Sequence, residues 1–202
     1  DHVVVVFDEA YAEYVDDPSF PDSLRWVQEG RPVAVLRTFS KIYGLAGLRV
    51  GYGVAPPWLA ELLGRVKEPF NVNRAAQAAA LAALEDEDHV RRSRELNREG
   101  KRFLYDAFRR LGLSYVPSQA NFVLVRVGGD ARAVYRHLLR QGVIVRTGDI
   151  FGLPEWLRIT VGTPEQNRRL VAALEPSLRE IQSTRPAEGV TAERVGAGGS
   201  HT

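Results

Sequence analysis

The sequence contains no cysteine and no methionine among its 202 residues. The absence of cysteine excludes disulfides, thiolate metal sites and a cysteine nucleophile. The chain opens directly on an apolar run and lacks methionine, so we expect it to be a fragment of a longer protein. Lysine is scarce as well: only Lys41, Lys67 and Lys101 occur beside abundant arginine, which makes each lysine a candidate for a specific role.

The charge pattern is that of a soluble globular protein. The formal net charge is +2 and the sequence pI is about 9.0. The arginines are spread along amphipathic stretches opposite acidic residues, which argues against nucleic-acid binding. No apolar run is long enough to span a bilayer and the first residues lack signal-peptide features, so we expect a cytoplasmic protein. The histidines show no metal-ligand spacing, and we expect no metal site.

Two apolar runs without polar alternation predict buried strands of a parallel sheet. Residues 3–7 read VVVVF, residues 33–36 read VAVL, and a segment of helical length separates them. Parallel strands need such a crossover connection, so the α/β class with a mostly parallel sheet is favoured. Residues 49–55 predict a third strand, and the following pair Pro56-Pro57 predicts the start of a helix.

The second half of the chain has a different periodicity. Residues 74–111 have the pattern of two helices or one bent helix, with Gly112 as the stop. Beyond it we predict strands at 114–116, 121–127, 143–146 and 156–161, and helices at 131–141 and 164–181. The predicted organisation is therefore an α/β part with a linking helix at 1–111, a small α+β domain at 112–182 and a disordered tail at 183–202.

The strongest local signal is TFSKIYGLAGLRVGY, residues 38–52, which directly follows the second predicted strand. Ligands of open α/β sheets gather at the carboxyl ends of strands. Lys41, flanked by hydroxyls and small residues, could act there as an amine nucleophile. Thr38, Ser40 and Arg49 offer donors for a phosphate. The alternative is a surface lysine in a glycine-rich turn, which we would favour for an isolated Ser-Lys pair.

A second signal, Asp8-Glu9-Ala10-Tyr11, ends the first predicted strand. Taken alone, Asp8 is more typical of a helix cap or a solvated turn. Neighbouring parallel strands would however bring Asp8 and Lys41 to the same sheet edge. Pyridoxal chemistry requires a carboxylate that keeps the pyridine nitrogen protonated and a lysine that binds the aldehyde. The Tyr11 hydroxyl could hydrogen-bond the ring oxygen.

The segments FDEAYAEY (residues 7–14) and RTFSKIYGLAGLRVGYG (residues 37–53) resemble fold-type I pyridoxal-phosphate aminotransferases, most closely the histidinol-phosphate aminotransferase family. The resemblance covers about residues 1–182. It implies that residues 1–111 are the C-terminal part of the large cofactor-binding domain. It implies Lys41 as the Schiff-base lysine and proton shuttle, Asp8 as the pyridinium partner and Tyr11 as the ligand of the phenolic oxygen. The positions that it matches to the cofactor phosphate are Thr38, Ser40 and Arg49.

Three residues of the second domain match substrate-site positions of this family. Arg158 corresponds to the arginine that pairs with the substrate α-carboxylate, and Arg146 to a contact of the substrate phosphate. From the residues alone, Arg158 could equally be an outward residue of an edge strand, and Arg146 a surface residue at a strand end. Asn121, at the start of a predicted strand, has a minor role in fixing the local backbone.

The resemblance implies pyridoxal phosphate as cofactor, a homodimer, and transamination between histidinol phosphate and 2-oxoglutarate in histidine biosynthesis. The alternatives are a related lyase, such as a threonine-phosphate decarboxylase that uses the same lysine and aspartate, and a non-catalytic remnant. The family's large domain also has strands upstream of this chain. We therefore expect an open sheet edge with exposed apolar surface at residues 3–7.

Overall fold

The computed structural model describes residues 3–183, which form two β-sheets and the helices packed around them. The first sheet has three strands, in the spatial order β1 (Val5–Asp8), β2 (Val33–Thr38) and β3 (Gly51–Val54). Helix α1 (Ser23–Gln28) lies between β1 and β2 in the chain. These two strands run parallel with Asp8 opposite Leu36, which confirms the predicted parallel pair.

The third strand departs from the prediction of a mostly parallel sheet. β3 pairs with β2 in the antiparallel direction, with Thr38 opposite Gly51. The chain between them has no crossover helix and contains only the short 3-10 turn Ala46–Leu48. β3 therefore starts at the end of the sheet where β2 stops. An antiparallel neighbour is the pairing that such a short return permits.

The prediction that the first strand is buried on both faces is wrong for the residues that the structure describes. Val5 is 44% exposed and Val6 is 56% exposed. Among residues 3–183, β1 has a single neighbouring strand and forms the edge of its sheet. Its apolar side chains are therefore uncovered, which agrees with the expected open sheet edge and exposed apolar surface.

Three helices follow the first sheet: α2 (Pro57–Val66), α3 (Arg74–Glu85) and α4 (Glu87–Arg110). The helical pattern of residues 74–111 is thus confirmed as two helices. Asp86 is the residue between α3 and α4. Its side chain begins α4, because it accepts a hydrogen bond from the His89 amide at 2.9 Å. Gly112, at φ +69°, provides the left-handed residue after α4.

The second sheet is antiparallel and packs on three helices. Its order is β4 (Ser114–Val116), β5 (Phe122–Arg126), β7 (Trp156–Thr160) and β6 (Arg146–Thr147). Helices α5 (Ala131–Arg140) and α6 (Pro164–Ser183) complete this part. The prediction of a strand at 143–146 is wrong in extent, since only its last residue pairs in the sheet and residues 143–145 have no ladder partner.

Alternation along β5 and β7 separates a core face from an outer face. Val123, Val125, Leu157 and Ile159 are buried in a cluster that includes residues of α4, α5 and α6. Residues of α4 therefore belong to the core of the second sheet, although the predicted boundary at 111 assigns this helix to the first part. That division stays a prediction. The predicted tail begins at Ser183, which is the last residue of α6, and the remainder lies outside the described residues.

Candidate functional site

Asp8 is the last residue of β1 and lies at the edge of the sheet where β2 also ends. Its exposed carboxylate accepts a hydrogen bond from the Ala10 amide at 3.2 Å. This contact turns the chain away from the strand and toward Tyr11. The parallel register, with Asp8 opposite Leu36, places the carboxylate two positions before the level of Thr38 on the neighbouring strand.

The loop between β2 and β3 is closed by hydrogen bonds rather than extended into solvent. The Phe39 amide donates to the Val50 carbonyl at 3.2 Å, and the Leu45 amide donates to the Phe39 carbonyl at 2.9 Å. The hydroxyl of Thr38 accepts from the Ser40 amide at 3.0 Å. The loop therefore presents Ser40 and the residue that follows it from a fixed backbone.

Lys41 is partly buried and its amine lies beside an aromatic ring. The Nζ atom is 5.3 Å from the centroid of the Tyr11 ring. Among residues 3–183 no carboxylate forms an ion pair with this amine. The segment after β1 and the loop after β2 are thus in contact through these two side chains.

Arg49 has a backbone conformation that non-glycine residues seldom adopt. Its φ is +56°, and its guanidinium donates to the Ala46 carbonyl at 2.7 Å while the side chain remains exposed. Left-handed backbone at a non-glycine residue carries a conformational cost and clusters at functional sites. Two residues further on, at Gly51, a Cβ would lie only 2.7 Å from the Arg37 carbonyl oxygen, so β3 can begin here only with glycine.

Arg158 lies on an interior strand, which removes the alternative of an outward residue on an edge strand. It belongs to β7, which has β5 on one side and β6 on the other. The guanidinium carbon lies 4.2 Å from the centroid of the Phe122 ring, over its face. This arginine is partly buried, and within the described chain it forms no ion pair with a carboxylate.

Phe122 was not predicted as a site residue, and the structure places it between the two parts of the chain. Its ring contacts the Tyr11 ring edge to face, with centroids 5.4 Å apart. The side chains of Lys41, Tyr11, Phe122 and Arg158 therefore form a continuous row of contacts. No sequence pattern marked Phe122, because residues 122–125 are all apolar and only the burial along β5 distinguishes its two faces.

Arg146 lies directly opposite Arg158 in the β6–β7 pairing, so both side chains project from the same face of the sheet. A cleft of about 520 Å³ is lined by both arginines together with Thr147 and Thr160. Arg146 is exposed on the edge strand, which agrees with the surface alternative, yet it shares this cleft with Arg158. Neither guanidinium forms an ion pair with a carboxylate among residues 3–183, which makes the cleft attractive to an anion.

Asn121 also connects the two parts of the chain, but it is not one of the four residues in the row of contacts. Its side chain makes a hydrogen bond with the Tyr14 hydroxyl, and its carbonyl accepts from the Val161 amide at 2.9 Å. Burial raises the pKa of Tyr14, which the bond to Asn121 partly opposes. A second cleft of about 520 Å³ lies between Tyr14, Tyr43 and α4, and none of the predicted site residues lines it.

Comparison with known proteins gives consistent matches along the described chain. The chain is 59% identical over 177 residues to a histidinol-phosphate aminotransferase of Moorella thermoacetica, covering 87% of this chain and 46% of the relative. It is 56% identical over 178 residues to that of Akkermansia muciniphila, covering 88% and 48%. The chain thus spans about half the length of the curated relatives it matches.

Solved structures match the fold as well. Histidinol-phosphate aminotransferase from Sinorhizobium meliloti, in complex with pyridoxal-5'-phosphate, superposes with a TM-score of 0.81 at 31% identity, over 89% of this chain and 50% of that one. L-threonine-O-3-phosphate decarboxylase from Porphyromonas gingivalis gives a TM-score of 0.73 at 27% identity, over 86% and 55%. No helix within residues 3–183 is long and apolar enough to cross a membrane. Because the family's sequence model matches residues 1–174, the chain belongs to the class I and II aminotransferases.

Proposed function

We propose that the chain carries the reactive lysine and the substrate-anion arginines of a pyridoxal-phosphate-dependent aminotransferase. The observation that carries this proposal is the row of contacts from Lys41 through Tyr11 and Phe122 to Arg158. It connects the Lys41 amine to the Arg158 guanidinium, and neither group forms an ion pair with a carboxylate of the part of the chain that the structure describes. An amino-acid substrate needs both at once, one group for its reacting centre and one for its carboxylate.

The residues present fit the cofactor in chemical type. An aldehyde needs an amine, which Lys41 provides, and a pyridine nitrogen needs a carboxylate, which Asp8 provides at the same sheet edge. For the phosphate, the loop after β2 offers the Ser40 hydroxyl and the guanidinium of Arg49. Tyr11 would serve the phenolic oxygen. When bound, pyridoxal phosphate supplies an electron sink for the bond at the substrate's α-carbon.

The protein's own groups then have distinct tasks. Lys41 Nζ would take the proton from the substrate Cα as a general base and, as a general acid, deliver it to the cofactor carbon that carried the aldehyde. The Tyr11 ring beside this amine shields it from water. Arg158 offers the substrate carboxylate a planar pair of donors, which fixes both the position and the orientation of the α-carbon. Two half-reactions of this kind on different substrates give ping-pong kinetics.

Histidinol phosphate and 2-oxoglutarate are the substrate pair that we propose, in histidine biosynthesis. The names of the relatives support it, and so does the cleft that Arg146 shares with Arg158, since a phosphate and a dicarboxylate are both anions of suitable size. Guanidinium groups bind either one through paired hydrogen bonds. Glutamate would be the amino donor for the reverse half-reaction.

A phosphate-binding decarboxylase is the second candidate, and the likeness to the Porphyromonas gingivalis enzyme favours it over other lyases. The same two arginines would bind the phosphate of its substrate. The products distinguish the two: transamination of histidinol phosphate yields a keto product without gas release, whereas decarboxylation releases carbon dioxide. If neither product forms and no cofactor binds, the chain is a non-catalytic remnant.

We also propose a homodimer in the cytoplasm. The support for a dimer is a patch of exposed apolar residues on α2 and in the loop after it, including Leu62, Leu63, Val66 at 79% exposed and Phe70 at 98% exposed. Several large exposed apolar side chains within one short segment are typical of association sites. Sedimentation equilibrium tests the dimer, and cell fractionation tests the location.

Borohydride reduction tests the cofactor assignment at the level of the residue. The protein is mixed with pyridoxal phosphate, reduced and digested, and the modified lysine is identified by mass spectrometry. We expect modification at Lys41, with loss of the visible absorption band in Lys41→Ala. Lys67 is the matched control because it is exposed and any accessible amine condenses with an aldehyde to some extent. Equal modification of both lysines would refute the assignment.

A further inference from the structure

The Phe122 ring is the contact through which the two parts of the candidate site meet. One side of it is in contact with the Arg158 guanidinium and another with the Tyr11 ring. The tasks derived above for the amine and the guanidinium do not require an aromatic residue at this place. The chemistry of the reacting groups therefore does not explain why an aromatic residue contacts both Arg158 and Tyr11.

The strand register explains how the ring reaches the guanidinium. In the β5–β7 pairing, Arg158 lies opposite Leu124, and Phe122 lies opposite Thr160. Arg158 and Phe122 are therefore diagonal neighbours on the outer face, a separation that long and aromatic side chains can bridge. The electron-rich face of a phenyl ring attracts a guanidinium, whereas the aliphatic side chain of Leu124 does not.

The guanidinium has few other interactions that would hold it in place. Within residues 3–183, Arg158 has no carboxylate partner, and its neighbour across β6 is the like-charged Arg146. Repulsion from Arg146 alone would not restrict the Arg158 side chain to a single rotamer. The face of the Phe122 ring selects one of them, with the guanidinium carbon 4.2 Å from the ring centroid.

The ring itself is fixed because α4 anchors the chain that leads into β5. Three side chains one helical turn apart bind the backbone of that segment: Asn97 donates to the Ala120 carbonyl at 3.2 Å, Lys101 donates to the Ser118 carbonyl at 2.8 Å, and the Tyr105 hydroxyl accepts from the Ser118 amide at 2.8 Å. Lys101 is only 6% exposed, so this anchor uses a buried ammonium group. A segment secured by three bonds gives the following strand a defined start.

We propose that Phe122 is a positioning residue for substrate anions, which acts by holding the Arg158 guanidinium in its binding orientation before the anion arrives. The inference rests on the proposed function in that Arg158 is the anion site. Preorganisation of this kind increases affinity because the side chain has less freedom to lose on binding. It also connects the anion site to the lysine, since the same ring contacts Tyr11.

Anion affinity is the quantity to measure, in the 202-residue chain without cofactor and with glutarate as a non-reactive dicarboxylate. Isothermal titration would compare the wild type with Phe122→Leu, Phe122→Tyr and Leu124→Val. We expect the leucine variant to weaken glutarate binding by about 3- to 20-fold, the range of a cation–π contact, and the tyrosine variant to stay within about twofold. Leu124→Val is the matched control for packing around the same arginine, and it should stay within about twofold as well.

A double-substitution cycle separates positioning from a general loss of structure. If Phe122 acts through Arg158, then Phe122→Leu has no further effect on glutarate affinity in an Arg158→Met background. Equal losses in both backgrounds, or equal losses in Phe122→Leu and Leu124→Val, would overturn the proposal while leaving the anion site intact. Wild-type binding that does not depend on Arg158 would overturn the anion site and this proposal together. Because none of these titrations includes cofactor, failure of the lysine assignment would be seen separately in the borohydride experiment.

Discussion

Arg37 donates two hydrogen bonds to one oxygen of the buried Glu9 carboxylate, at 3.2 Å from Nε and 2.9 Å from Nη2. The other oxygen accepts from the Ser23 hydroxyl at the start of α1. Glu9 follows Asp8 directly and Arg37 precedes Thr38, so the pair connects the ends of two strands that carry proposed site residues. Its side-chain exposure is 5% at Glu9 and 25% at Arg37, which makes it the most buried ion pair among the described residues.

Loss of the Glu9 carboxylate is expected to destabilise the fold. Glu9→Ala leaves the Arg37 guanidinium and the Ser23 hydroxyl without their partner, and we expect a loss of about 2–4 kcal/mol in the free energy of unfolding. Urea denaturation measures it. Glu29→Ala is the control, because Glu29 pairs with two well-exposed arginines and its removal should cost less than about 1 kcal/mol. Similar losses in the two variants would contradict the structural role of the buried pair.

The pH dependence of stability should contain a contribution from Glu13. Burial raises the pKa of this carboxyl above its usual value, so the folded state retains the proton to higher pH than the unfolded state does. The free energy of unfolding therefore decreases as the pH rises above about 4.5, the usual pKa of this carboxyl in the unfolded chain. The decrease ends at the pH where the carboxyl of the folded protein is ionised as well. Glu13→Gln should be more stable than the wild type at neutral pH. Below about pH 4.5 the two proteins should have the same stability, because the wild-type carboxyl is then protonated in both states.

Thermal melts at several pH values test this sign. Because the carboxyl is only half buried, we expect a gain of less than about 1 kcal/mol at neutral pH. Glu61→Gln is the comparison, since Glu61 is 66% exposed in an ion pair with Arg65 on one helix. A Glu13→Gln advantage that is constant from acid to neutral pH would show that the carboxyl's ionisation is not its cause.

Two helical glycines should respond in opposite directions to the same substitution. At Gly64 in α2 an added Cβ would have no atom within 4 Å, so Gly64→Ala should stabilise the protein by about 0.5–1 kcal/mol through helix propensity. At Gly100 in α4 the Cβ would overlap the Val161 side chain and lie 3.0 Å from Asn167 Nδ2. Gly100→Ala should destabilise by about 1–3 kcal/mol, because overpacking outweighs propensity. Denaturation midpoints measure both, and stabilisation by both alanines would show that α4 is not closely packed there.

Much of the fold was predictable because it depends on short-range patterns. The apolar runs VAVL and FVLV (residues 122–125) each indicate a strand, and the change to helical spacing after Arg74 indicates α3 and α4. The direction of β3 was not predictable, since pairing depends on the path of the loop rather than on the strand's own residues. Residues 143–145 have a strand's composition but no ladder partner. Composition cannot show whether a neighbouring strand is within reach.

The candidate site was predictable where chemistry determines residue type. Lys41 and Asp8 were singled out because pyridoxal chemistry requires an amine and a carboxylate together and both residues follow neighbouring predicted strands; their roles stay predictions. Phe122 and Glu9 were not found, because an aromatic residue in a strand and an acid after one are common, and their roles appear only when distant segments meet. The same limit applied to Arg158, whose position on an interior strand depends on the order of the sheet.

The facing arginines of the second sheet provide a test of the anion site that needs no substrate. Like charges directly opposite one another on neighbouring strands are destabilising, by about 0.2–1 kcal/mol. Arg146→Gln should therefore raise the melting temperature in dilute chloride buffer. Added inorganic phosphate should stabilise the wild type through binding to both guanidinium groups, and this stabilisation should be smaller in Arg146→Gln and in Arg158→Gln.

Arg126 is the matched control for these two variants. It lies on the same sheet, but its guanidinium already binds the Glu155 carboxylate at 2.6 Å, so it should contribute nothing to phosphate binding. Arg126→Gln should keep the full phosphate effect when ionic strength is held constant with chloride, because general screening is then the same for every variant. A phosphate effect that falls equally in all three variants would reflect net charge alone, and it would remove the physical basis for assigning the phosphate of a substrate to Arg146.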